Sequence, residues 1–136
     1  MLIEKKLYDV LNNSAELIEL MDTIRGKSME DTPIYYNAVP QDLKFQTDAP
    51  IIRITFVQDR LESSDDDDNL TQSTLQVDFW TNTLSQSDRL TPVIKGLLRK
   101  NGFYQFDNAR KKDPDSGEST DKQLIMNTIW VKTDPY

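Results

Sequence analysis

The stretch LQVDFWTNTLSQSDRLTPVIKGLLRKNGFYQF, residues 75–106, carries a strand, a polar turn, a helix and the start of a second strand in succession. Leu75, Val77 and Phe79 alternate with Gln76 and Asp78, which is the period-two pattern of a strand with one buried face. After the turn, Leu90, Val93, Ile94, Leu97 and Leu98 fall on one helical stripe, with Arg89, Lys95, Arg99 and Lys100 mainly off it. Asn101-Gly102 ends the helix, Gly102 being suited to the left-handed cap. Two starts compete. Ser85 with Asp88 has cap spacing but leaves Pro92 inside the helix at a cost of about 3 kcal/mol. A start at Thr91 places Pro92 at the first helical position, and the expectation is a turn followed by a regular helix from about Pro92.

Upstream, Ile51 to Gln58 is β-branched and alternating, with Ile52, Ile54 and Phe56 on one face. It pairs naturally with the strand around Val77 as an antiparallel hairpin, and the intervening Asp59 to Ser73 shows no core pattern. Hairpin loops usually have two to five residues, so this tip is unusually long. Ile34 to Val39 is bracketed by Pro33 and Pro40 and fits a short edge strand. Near the start, Ile3, Leu7, Val10 and Leu11 form one short helical stripe; Leu17, Ile18, Met21 and Ile24 form another, stopped near Gly26. Asn13 and Glu16 have capping-box spacing, so either two short helices or one broken helix is expected. Downstream, Phe103 to Asp107 reads as a strand, and Asn108 to Thr120 is polar with turn chemistry at Asp113 to Gly117. Gln123 to Lys132 is apolar on both faces, as an interior strand would be.

The order predicts an α+β fold: a mainly antiparallel, curved sheet of four to five strands with helices packed on one face. The 136 residues suit a single domain, residues 1–136, with flexible loops at about 59–72 and 108–121.

Composition removes several function classes. The chain has no cysteine and no histidine, so disulfides, thiolate zinc sites and the commonest general base are excluded. Four scattered glycines build no phosphate-cradling loop, and no cofactor is expected. Met1-Leu2-Ile3 passes straight into Glu4-Lys5-Lys6, so no export signal is expected, and no apolar run approaches the roughly 20 residues that span a bilayer. The formal net charge is −7, most of it in Asp59 to Asn69, where Asp59, Glu62 and Asp65 to Asp68 face Arg60 alone. Such a chain repels a phosphate backbone, and Arg110-Lys111-Lys112 lacks the interleaved aromatics of strand-binding modules. Neither sequence-specific nucleic-acid binding nor membrane association is expected.

Two features remain as candidates. The first is the acidic run Asp65, Asp66, Asp67 and Asp68, read either as a solvated loop or as a calcium loop. Counting from Asp65, position six is Leu70 where a turn glycine is needed, and position twelve is Gln76 where a bidentate Glu is needed. The second is Trp80 with Trp130. Trp80 lies on the face opposite Leu75, Val77 and Phe79, where Trp130 can join it as a minor second core or as an apolar contact patch.

The segments LIELMDTIRG, IIRITFVQ, residues 75–106 and LIMNTIWVK, in that order, resemble the tail-completion, or tail-terminator, proteins of long non-contractile-tailed bacteriophages. The resemblance covers most of the chain as an order of elements and carries no catalytic signature. It implies a non-enzymatic virion protein that forms a ring, a hexamer by analogy, closing the head-proximal end of the tail tube. The implied partners are other copies of itself, the tail-tube protein and a head connector or stopper protein. The implied location is the host cytoplasm during assembly and then the virion. An acidic loop would suit a lumen that DNA crosses without adsorbing. Alternatives are another minor tail, neck or baseplate protein, or, in a different class, a small metal-dependent enzyme or calcium-binding module using the acidic loops.

Overall fold

A computed structural model describes residues 2–40, 45–63, 69–114 and 123–135. Two helices come first, α1 (Ile3–Asn12) and α2 (Ala15–Arg25). They are separate because Asn13 closes the first while Ser14, in extended conformation, caps the second by accepting from the Leu17 amide at 3.2 Å. Sequence spacing assigns that cap to Asn13; the hydroxyl one residue later performs it. Gly26, at φ 81°, provides the left-handed turn that ends α2.

Then follow β1 (Ile34–Tyr36), the single turn α3 (Phe45–Asp48), β2 (Ile51–Ser63), β3 (Asn69–Thr81), α4 (Leu84–Lys100), β4 (Phe103–Lys112) and β5 (Ile125–Thr133). The sheet order is β1-β2-β3-β5-β4. Three pairings are antiparallel and β1–β2 is parallel, giving the expected α+β arrangement with a mainly antiparallel sheet. β5 is interior, as its two apolar faces predict, and β1 is the short edge strand that its flanking prolines predict.

Helix α4 departs from expectation. It starts at Leu84, eight residues before Pro92, and keeps the proline inside. Its start is fixed by Thr83, whose hydroxyl accepts from the Gln86 amide at 3.2 Å, while Gln86 reaches back to the Asn82 amide at 3.0 Å. This two-way cap, together with burial of Leu90, Ile94 and Leu98, outweighs the hydrogen bond that Pro92 cannot donate. Thr91 also ties its hydroxyl to the Ser87 carbonyl at 2.7 Å, bracing the turn just before the proline.

One core holds the layers together. Leu7 and Leu11 of α1, Leu17 and Met21 of α2 and Leu90, Ile94 and Leu98 of α4 pack on Ile52, Ile54, Leu75, Val77, Phe79, Phe103, Ile129 and Val131 of the sheet. Burying each such side chain contributes roughly 1.5–3 kcal/mol.

Two strands run further than their apolar patterns. β2 and β3 stay paired out to Ser63↔Asn69, well inside the segment expected to be loop, and β4 continues to Lys112. The reason is common to both. β3 pairs with β5 only over Thr74–Thr81, so the outer part of the hairpin is a two-stranded arm with no core on either face. β4 buries Phe103 and leaves its other nine residues exposed. Without a buried face nothing imposes alternation, and the pattern that announces a strand is missing.

Candidate assembly surface

The helices cover one face of the sheet. The other carries a cross-strand row: Arg53 of β2 is paired with Asp78 of β3, and Asp78 with Thr128 of β5. The Asp78 carboxylate is 0% exposed. Oδ2 accepts from Arg53 Nε at 3.1 Å and Nη2 at 2.7 Å, Oδ1 accepts from the Thr128 hydroxyl at 2.7 Å, and Gln76 Nε2 donates at 3.0 Å. Gln76 in turn accepts from the Trp130 indole N–H at 3.1 Å. A carboxylate engaged this fully, under a guanidinium and out of solvent, has its polar atoms satisfied within the sheet. It pins three strands in register.

Trp80 and Trp130 share this face, as strand alternation predicts, but the Asp78–Thr128 row lies between them. Trp80 is 3% exposed and belongs to a second, small core with Ala49, Ile51 and Leu124. Its N–H donates to Asp113 Oδ2 at 2.7 Å, and the Arg53 guanidinium stacks 5.0 Å from its ring. The ring is therefore packed within the chain, whereas Trp130 keeps part of its surface open. Asp113 is held as well: its amide donates to the Leu124 carbonyl at 2.9 Å, so this aspartate braces the ends of the segment between β4 and β5. Trp80→Phe keeps an aromatic side chain but removes the pyrrole half of the indole with its donor. It is expected to cost about 2–3 kcal/mol of stability, read from urea unfolding, because a bond to a charged acceptor is lost and a small void is left in a buried site.

The remaining sequence candidates, Asp65 to Asp68, lie outside the described residues. Among the described residues no three His, Cys, Asp or Glu side chains are grouped as metal ligands, and no helix is long and apolar enough to cross a membrane.

Exposed apolar side chains gather instead at the sheet's margins. Leu61 and Leu70 project from the β2–β3 arm, and Val57 sits at a bulge in β2. Tyr104 and Phe106 are exposed on β4, Phe106 at a second bulge where Lys132 lies 4.7 Å from its ring. β4 is an outermost strand, and among the described residues nothing pairs with its outer side.

The opposite edge differs. Beside β1 is a groove of about 750 Å³ lined by Tyr8, Tyr35, Tyr36, Glu30, Asp31 and Asp48 among others. Tyr8 and Tyr36 meet edge to face at 5.7 Å. The wall is fixed by Arg25, a residue whose role no sequence pattern signals. Its side chain is fully buried and donates to the carbonyls of Asp48 at 2.8 Å and Pro50 at 3.0 Å, and to the Asp22 carboxylate at 2.8 Å. Burial pulls its pKa down from the usual value, and the neighbouring carboxylates oppose that shift.

No protein-family model matches the chain, and no curated protein matches its sequence. Its fold is similar to that of a chain in the virion of a native gene transfer agent particle, with a TM-score of 0.59 over 98% of this chain and 95% of that chain. The two are 9% identical, so the likeness is one of fold.

Proposed function

We propose that this chain is a structural virion protein of a tailed phage or phage-like particle, and that it works as a tail terminator. In this role copies form a ring, a hexamer by analogy with the family it resembles. The ring closes the head-proximal end of the tail tube and joins it to the head connector. The observation that carries the reading is the near end-to-end fold match to a virion chain. The order of elements over residues 75–106 supports the terminator role. Trp130 and the exposed residues of the arm and of β4 are the surfaces it offers to neighbours.

Deleting the protein tests this. The expected result is tails of irregular length with detached heads, seen by electron microscopy of the particles. Normal, head-bearing tails would contradict the terminator role. A label on the protein found at the distal end would favour a baseplate role instead.

A further inference from the structure

The two edges of the sheet are unlike each other and lie at the same height. Through successive pairings Ile34 of β1 is in line with Ile52, Phe79, Asn127 and finally Arg110 of β4. The acid- and tyrosine-lined groove therefore stands level with Arg110, Lys111 and Lys112, at opposite sides of one subunit. Glu30, Asp31 and Tyr36 are exposed on the groove side, and all three basic residues are exposed on the other. Arg110 already reaches Asp88 at 2.9 Å, while Lys111, Lys112, Glu30 and Asp31 form no ion pair among the described residues.

Strand addition at β1 is disfavoured. The strand has three residues, and local bonds occupy the Ile34 amide (to Thr32, 2.8 Å) and the Tyr36 carbonyl (from Ala38, 3.1 Å). Lys5 of the same chain lies 5.8 Å from the Tyr8 ring and Lys27 pairs with Asp48 at 3.4 Å, so what that edge offers a further cation is Glu30, Asp31 and Tyr36, as counter-charge and ring face. The chain itself carries such cations at the matching height of its other edge.

We infer that neighbouring copies meet edge to edge, with the basic end of β4 of one copy seated in the tyrosine- and acid-lined groove beside β1 of the next. This rests on the ring reading above and names the surfaces that would build the ring. The contact is head-to-tail: each copy presents one surface of each kind, so repetition closes into a ring if the rotation per subunit allows it. Charge complementarity of this sort sets partner choice and register, and it weakens as salt shortens the reach of the charges.

The natural absence of cysteine makes the test clean. A chain carrying both Asp31→Cys and Lys111→Cys, treated with a short thiol-reactive cross-linker, should give a ladder of multimers ending at the ring. Either substitution alone should give none. Dimers from a single substitution would mean a two-fold contact and would overturn the inference. As a second readout, Lys111→Glu with Lys112→Glu should weaken self-association roughly tenfold or more. Adding Glu30→Lys and Asp31→Lys in the same chain should restore it. If the wild type assembles and neither experiment disturbs or captures the contact, the edge assignment is wrong and the terminator reading stands. If the wild type never self-associates, both fall.

Discussion

Asp78→Ala is expected to destabilise the protein by about 3 kcal/mol, the low end of the range for removing one member of a buried ion pair. The carboxylate is fully buried and holds Arg53, Thr128 and Gln76 at once. Alanine leaves the guanidinium without its counter-charge and the Thr128 hydroxyl without an acceptor. The loss falls at the low end because the Arg53 side chain is 32% exposed and water can solvate part of it. Urea unfolding should show a lower midpoint. Asp78→Asn keeps the shape and one acceptor and should lose less. Arg53→Met combined with Asp78→Leu removes both charges and should recover much of the loss, since an apolar pair of similar volume replaces a buried ion pair without leaving either partner alone. If Asp78→Ala is as stable as the wild type, the strands are not held in register by this network.

The second large effect is at Phe79→Ala, expected to cost about 3–5 kcal/mol. Phe79 is 0% exposed and sits on the sheet face beneath the helices, in the same cluster as Leu90, Ile94 and Leu98 of α4. Truncation leaves a cavity among fixed backbones that cannot collapse to fill it. For a domain whose whole stability is typically 5–15 kcal/mol, that loss approaches unfolding at physiological temperature. Phe106→Ala is the contrast: its ring is 51% exposed at the β4 bulge, and the monomer should change by less than about 0.5 kcal/mol. Loss of assembly by Phe106→Ala with monomer stability unchanged would mark Phe106 as a surface residue used by neighbours.

These two sites also separate what the sequence displays from what it conceals. Phe79 is legible, because the alternation of Leu75, Val77 and Phe79 against Gln76 and Asp78 names the buried face directly. So is the interior place of β5, since Ile129 and Trp130 on opposite faces need cover on both sides. Asp78 is concealed by the same alternation, which assigns it to a solvent face. Its burial comes from the side chains of Arg53, Gln76 and Thr128, which become neighbours only once register is set. The hint available was an Arg and an Asp at facing positions of two strands expected to pair. Trp80 is concealed likewise: the cover over its ring comes from Ala49 and Leu124, distant in sequence and outside any periodic pattern.

Helix α4 misleads for another reason. The rule against interior proline is a local cost of about 3 kcal/mol, and local costs yield when a cap and a buried face act together. The outer arm and the part of β4 beyond Asp107 escape detection because exposed strands have no apolar rhythm. Of the surfaces proposed to act, the basic end of β4 is in that least legible class, whereas the β1 edge strand is announced by its flanking prolines. Their residues look like ordinary loop and surface chemistry until the sheet sets them level with each other.

The proposed assembly of this chain with copies of itself is read by sedimentation velocity of the purified protein over a range of concentration and salt. A single discrete multimer of ring size is expected, in equilibrium with monomer and shifted toward monomer by added salt. A monomer at every concentration and every ionic strength would contradict it.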